Sequence, residues 1–321
     1  MKARAFWVEQ AGQGIIRDEQ LSAPGPGEVL VRMRYSGISR GTESLVFHDR
    51  VPRSQHASMR CPHQAGDFSL PVKYGYIAVG EIEAGHGPIG QTVFCLHPHQ
   101  TRFVVPASEV VSLPDGFPLE RAVLTANLET ALNGVWDGQV KPGHKVSVIG
   151  AGVVGLLVGW VLRQEGCTDL ELVDLDPARE EVAGKLGLKL ALPGEAQSDR
   201  DLIFHASGSP AGLSSALSLC ANEATVVELS WYGDKAVTLP LGEAFHSRRL
   251  TIRSSQVGQV APSHRAQWSH RRRLQRVLEL LANHPELDAL VDEESPFEDL
   301  PQTMARLATD GAGVLCHRVR Y

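Results

Sequence analysis

Lys145–Gly155 reads KVSVIGAGVVG, and Glu171–Arg179 reads ELVDLDPAR. Val146, Val148 and Ile149 form a short β-branched run, with Pro142-Gly143 before it and Gly150 after, which predicts a buried parallel strand. Gly150, Gly152 and Gly155 then stand in G-x-G-x-x-G spacing and open an apolar helix that includes Val153 and Val154. The first glycine of such a set makes a tight turn, the second lets backbone approach a pyrophosphate, and the third packs helix on strand. The anion would rest on the N–H groups of the helix N-terminus. A second strand, Leu170 to Val173, ends in Asp174, whose carboxylate would accept ribose hydroxyls and repel a 2′-phosphate. The expected cofactor is therefore NAD, with NADP as the alternative that Arg179 would favour.

Working outward from this unit, strand and helix signals alternate. Leu119 to Trp136 has helical spacing, as do Glu180 to Leu186 and Ala211 to Leu219; Asp201 to His205, Thr225 to Leu229 and Leu250 to Arg253 read as strands. Such alternation predicts a doubly wound parallel sheet. Ser207 and Ser230 follow two of these strands, at the sheet edge where ligands bind in open α/β folds, and are expected to contact the cofactor. Upstream, Ala3 to Arg34, Val72 to Gly85 and Gln91 to Gly116 have β texture, broken by an irregular stretch from Asp49 to Asp67. Beyond Gln256 two helical stretches, Gln267 to Asn283 and Leu300 to Ala308, precede a last strand, VLCHRVRY. The fold class is α/β, with a β-rich domain from 1–127 and 256–321 interrupted by a dinucleotide-binding domain at 128–255.

Composition narrows the function. With 321 residues, 43% of them apolar, the chain can build two cores, and a net charge of −6 argues against a nucleic-acid surface. Five scattered cysteines without C-x-x-C pairs give neither a disulfide framework nor a cysteine-rich zinc lobe, which fits a cytoplasmic protein. The N-terminal MKARAFWVEQ lacks the apolar core of a signal peptide, and the glycine-punctuated run at Val146 to Leu162 does not read as a membrane span. The expected partner is a small-molecule substrate.

The order of these parts and the phrases GEVLVRMRYSGIS, YGYIAVGEIE, FVVPASEVVSLPDG, VDLDPAR and HASGSP resemble the medium-chain dehydrogenase/reductase superfamily over essentially the whole chain. SGISRGTE is similar to its bacteriochlorophyllide a dehydrogenase branch. The resemblance implies a GroES-like catalytic domain built from both chain ends, a Rossmann domain between them, pyridine-nucleotide oxidoreduction in the interdomain cleft, and a homodimer. It also implies a departure from the zinc-dependent members. Ser39 stands where they place a cysteine, Gly75-Tyr76-Ile77 replaces Gly-His-Glu, and the third ligand falls near Ala126. Zinc needs three N, S or O ligands, so none is expected here.

Something else must then meet the charge that develops on oxygen during hydride transfer. Tyr76, at the lost histidine position, is the candidate donor or general acid, the alternative being a wall residue. Thr42 matches the family's proton-relaying hydroxyl, or is a turn hydroxyl bonding its own backbone. Ser39 and Glu43 are further candidates, Glu43 with a salt-bridge role as its alternative. Cys95, His97 and His99 alternate as strand residues sharing one face, a pattern a metal would need, although Pro98 interrupts it. The basic run His270 to Arg273 is expected to be a solvated helix face. The reading is alcohol–carbonyl interconversion; reduction of an activated C=C bond and a non-catalytic nucleotide-binding protein are the alternatives.

Overall fold

The computed structural model describes residues 1–310 and 313–321. The chain divides into two compact units, one of Met1–Ala126 with Leu274–Tyr321, the other of Asn127–Arg273.

The second unit is built on Lys145–Ile149, whose β-branched residues are buried on both faces. Its parallel sheet runs in the order Leu190–Ala191, Asp169–Val173, Lys145–Ile149, Arg200–His205, Cys220–Glu228, Thr251–Ser254. Numbered along the chain this is 3-2-1-4-5-6, the doubly wound order whose direction reverses at the first strand. Ile149, His205, Glu228 and Ser254 are register partners in one row near the carboxyl edge. The core beneath them holds Ile149, Val173, Ile203, Leu213, Leu217 and Val226. The short strand Leu190–Ala191 escaped the sequence reading because two residues carry no periodicity.

The other unit holds two sheets. In the larger, the C-terminal strand Cys316–Arg320 pairs antiparallel with Glu28–Ile38, so the two ends of the chain share one sheet. Ala78–Gly85, Thr92–Cys95 and Val111–Ser112 continue it, Arg102–Pro106 pairs on Glu28–Ile38, and Val291–Pro296 closes the far side. Inward positions alternate along Glu28–Ile38, burying Val29, Val31 and Met33 against Ile82, Val93, Phe103 and Val105. A smaller sheet joins Gln13–Gln20, Lys2–Gln10, Val72–Lys73 and Ala65–Gly66. The units have the GroES-like and Rossmann architectures.

Residues 256–273, assigned from sequence to the returning part of the β-rich domain, cluster with the dinucleotide-type unit. The reason is Arg273. Its guanidinium is 1% exposed, lies 2.9 Å from Glu129, and also donates to Asn133 and the Val257 carbonyl. This corrects the reading of His270 to Arg273 as a solvated face: His270, Arg271 and Arg272 are exposed, whereas Arg273 is a buried anchor. Among the described residues, no helix is long and apolar enough to cross a membrane.

Candidate functional site

In the dinucleotide-type unit the fingerprint loop has the form its glycines dictate. Gly150 sits at φ +102°, where a side chain is strained, and a Cβ there would lie 2.7 Å from the Ser207 nitrogen. Gly155 packs so closely on the turn that a Cβ would meet the Gly150 carbonyl oxygen at 1.7 Å. Gly152 is the N-cap of the helix Val153–Gln164, and no side chain caps it. The first helical N–H groups are thus left for another acceptor. A Cβ on Gly152 would meet no atom within 4 Å, so the space in front of the helix is open. Val153 and Val154 supply the first turn.

Asp174 is aimed at this loop. One carboxylate oxygen accepts the Ala151 N–H at 2.6 Å and the other accepts the Asp176 N–H at 2.9 Å, each keeping a lone pair for a further donor. Arg179, half-buried, pairs with Asp176 at 3.4 Å. Ser207 and Ser230 lie in the loops after the next two strands and are tied together through residues the sequence reading did not single out. His205, fully buried, lies 2.7 Å from Ser207 Oγ and 2.8 Å from Glu228. Glu228 also accepts the Ser230 N–H and the Tyr232 hydroxyl, and Ser230 Oγ accepts the Gly208 N–H. The available signal was a polar residue closing each apolar strand, histidine after DLIF and glutamate after TVV.

In the other unit, Ser39, Thr42, Glu43 and Tyr76 come together. Ser39 starts the helix Arg40–Phe47, and Glu43 reaches back one turn to accept the Ser39 N–H at 2.7 Å. The other Glu43 oxygen accepts from His99 Nε2 at 2.8 Å, with both side chains almost wholly buried. His99 Nδ1 then accepts from Ser36 Oγ at 2.7 Å, and Ser36 lies 3.0 Å from the Tyr321 hydroxyl. Tyr76 receives hydrogen bonds from the Ser39 and Thr42 side chains. Burial, seconded by the Glu43 charge, pushes its phenol up to about 12 against the opposing effect of those hydroxyls. At neutral pH Tyr76 is therefore a hydrogen-bond donor. The Phe68 ring is tilted against Tyr74, Tyr74 meets Tyr76 edge-on, and His56 extends the run into the irregular segment.

Cys95, His97 and His99 do not converge. Cys95 is packed in the sheet core; His97 stacks on Phe103 at 3.9 Å and donates from Nδ1 to the Pro98 carbonyl; His99 serves Glu43. Pro98 breaks the alternation that would have put all three on one face.

Two units of these kinds make up the architecture of nucleotide-dependent dehydrogenases. No protein-family model matches the chain. Among curated relatives, (R,R)-butanediol dehydrogenase of Bacillus subtilis (strain 168) is 27% identical over 276 residues, spanning 71% of this chain and 78% of its own. D-guloside 3-dehydrogenase of Escherichia coli (strain K12) is 24% identical over 314 residues, 86% of this chain and 87% of its own. Among solved structures, a proposed zinc-binding dehydrogenase of Sinorhizobium meliloti 1021 bound to NADP matches with a TM-score of 0.80 at 18% identity over 100% of both chains. The 2R,3R-butanediol dehydrogenase of Bacillus subtilis gives 0.79 at 20% identity over 99% of both. In fold and in sequence the chain is thus similar to zinc-type alcohol dehydrogenase-like members of the medium-chain dehydrogenase/reductase superfamily.

Two groups are implied by that likeness. A pyridine nucleotide fits what is present: a bare helix N-terminus behind an open glycine turn, with a carboxylate latched over it. A family-type zinc does not. Ser39, Tyr76 and Ala126, which the resemblance matches to the zinc-ligand positions, offer two hydroxyls and a methyl, and these are not a zinc donor set.

Proposed function

We propose that the protein is an NAD(P)-dependent dehydrogenase that interconverts a secondary alcohol and a ketone without a zinc of the family type. The observation that carries this reading is the fingerprint loop of the Rossmann unit, open in front of an uncapped helix and overlooked by Asp174. Gly150, Gly152, Val153, Val154 and Gly155 would hold the pyrophosphate, Asp174 the adenosine ribose, and Ser207 and Ser230 the other half of the cofactor. Asp174 supports NAD over NADP, and the pairing of Arg179 with Asp176 weakens its claim on a 2′-phosphate. A nucleotide held there would supply or accept the hydride.

What the chain's own residues do follows from their protonation. Tyr76 keeps its proton at neutral pH and donates a hydrogen bond to the substrate oxygen, where negative charge grows as a carbonyl is reduced. Ser39 and Thr42 orient that phenol, and Glu43, held by His99, fixes the turn from which they project. The phenol, rather than a metal, thus stabilises the oxyanion. The rings of Phe68 and Tyr74 back Tyr76 and would border the substrate. The relatives named for a butanediol and for the 3-position of a guloside act on secondary alcohols, so vicinal diols and sugar alcohols are the first substrates to screen.

Five free cysteines suit a cytoplasmic enzyme. The edge strand Thr251–Ser254, paired on one side within the sheet, supports a homodimer formed by strand addition. The test is a fluorescence titration of chelator-treated protein with NADH and NADPH, followed by turnover assays on diols, ketones and enones. NADH binding with metal-independent ketone reduction is expected. Turnover confined to enones would replace the reaction class, and a strict requirement for added zinc would overturn the metal-free mechanism.

A further inference from the structure

The carboxyl edge of the Rossmann sheet carries a buried polar hub that the reading above does not use. His205 and Glu228 are direct register partners, the last residues of adjacent parallel strands. His205 is wholly buried, and the Glu228 side chain is 11% exposed. With the Glu228 oxygens as acceptors, the hydrogen-bond assignment closes. His205 Nδ1–H donates to Glu228, and Nε2 accepts the Ser207 hydroxyl proton. Ser207 Oγ in turn accepts the Ser209 N–H at 3.2 Å. Glu228 takes the Ser230 N–H at 2.7 Å and the Tyr232 hydroxyl at 3.1 Å, while Ser230 Oγ accepts the Gly208 N–H at 3.1 Å. Loops 206–209 and 229–232 are thereby bolted to each other, and the first of them abuts Gly150.

This costs something that apolar residues would not. A buried imidazole and carboxylate must be satisfied at every atom, and a phenylalanine would fill similar space without that demand. What such a network supplies is a single geometry for the loops it joins. The location says which ligand atoms would feel that geometry. A dinucleotide lies across the point where the strand order reverses, at Lys145–Ile149. Asp174 marks the adenosine side, at the end of Asp169–Val173. The strands ending in His205 and Glu228 lie on the opposite side, where the nicotinamide half must sit.

We propose that His205 and Glu228 form a positioning pair for the nicotinamide half of the dinucleotide, acting through the Ser207 and Ser230 loops and not on the adenosine half. The inference rests on the dinucleotide reading above. Its test needs no substrate: titrate wild-type protein, His205→Phe, His205→Gln and Glu228→Gln with NADH and, separately, with ADP-ribose, which lacks the nicotinamide ring. His205→Phe removes both hydrogen bonds and keeps a ring in place; a glutamine at 205 keeps a donor and an acceptor. His205→Phe should weaken NADH about tenfold, with ADP-ribose unchanged within about twofold, and His205→Gln should recover most of the loss. Glu228→Gln should behave like His205→Phe, and decides the matter if the latter does not fold. Parallel weakening of both ligands, or no change in either, would overturn the proposal in favour of a purely structural hub. Wild-type protein that binds ADP-ribose but shows no added affinity for NADH would also overturn it while leaving the fingerprint intact. Wild-type protein that binds neither ligand would remove the dinucleotide reading itself.

Discussion

Replacing Gly152 and Gly155 one at a time with alanine separates the glycine that serves a ligand from the glycine that serves the fold. At Gly155 the new methyl would stand 1.7 Å from the Gly150 carbonyl oxygen, whereas nonbonded heavy atoms rest near ~3.5 Å. The helix Val153–Gln164 must therefore retreat by more than about 1 Å from a strand against which it is packed, an overpacking cost of about 1–3 kcal/mol. For a unit of this size that lowers Tm by roughly 2–4 °C per kcal/mol, and it moves the N–H groups meant for the phosphate. At Gly152 the methyl meets nothing within 4 Å and the backbone, at φ −74° and ψ 179°, suits any residue. Alanine stiffens the unfolded chain, worth about 0.4–1 kcal/mol, but is a poorer N-cap than glycine by a similar amount, so Tm should scarcely move. The methyl would occupy the space proposed for the pyrophosphate. Forfeiting one hydrogen bond between backbone N–H and phosphate, about 1.5–3 kcal/mol, weakens NADH by roughly 10- to 100-fold. Thermal unfolding and NADH titration of the two variants make the comparison. A Gly152→Ala protein that binds NADH like wild type would refute the placement of the phosphate, and a Gly155→Ala protein of unchanged Tm would refute the packing argument.

Three other perturbations probe the β-rich unit and the buried charges. Tyr76→Phe should lower kcat for ketone reduction by about 10²–10³ while leaving NADH affinity unchanged, since only a donor to the developing oxyanion is lost; unimpaired turnover would demote Tyr76 to a wall residue. Burial between Phe103 and His63 holds the His97 imidazole well below its ordinary value of 6.5, so folding favours the neutral ring. The stability this contributes is complete above pH 6.5 and is lost as pH falls from there toward the depressed value, by up to about 1.4 kcal/mol per pH unit. Urea midpoints at several pH values should show that slope in wild type and a shallower one in His97→Phe; equal slopes would contradict it. Glu129→Ala leaves the Arg273 guanidinium buried beside an empty space and should cost about 3–5 kcal/mol in urea unfolding. A loss below about 1 kcal/mol would mean that Arg273 finds water instead.

The two candidate sites were legible to different degrees. The fingerprint was read in full because local sterics force it: only glycine tolerates the φ of Gly150 or the approach at Gly155, so the requirement is written as residue type and spacing. Asp174 was legible for the same reason, closing a strand of recognisable pattern. Ser39, Thr42, Glu43 and Tyr76 were found by position relative to a familiar order of parts. Their meeting point was not, since Tyr76 lies on a different segment from the turn that bonds it. His99, Ser36 and Tyr321 were invisible as a group, and so were His205 and Glu228, because each partner is supplied by a strand distant along the chain.

What the sequence determined by itself was the kind of fold, the order of its parts and the glycine-rich turn, all properties carried by short-range periodicity and by glycine's freedom at φ > 0. Tertiary structure alone decided where the polar atoms went. Arg273 left an apparently solvated basic run to be buried on Glu129, and His97 and Cys95 became packing residues rather than ligands. His99 and His205 became the centres of hydrogen-bonded networks. The physical reason is burial. A charged or polar side chain in a low-dielectric interior must find a partner, and that partner is chosen by sheet register and packing across long stretches of chain, which no local pattern records.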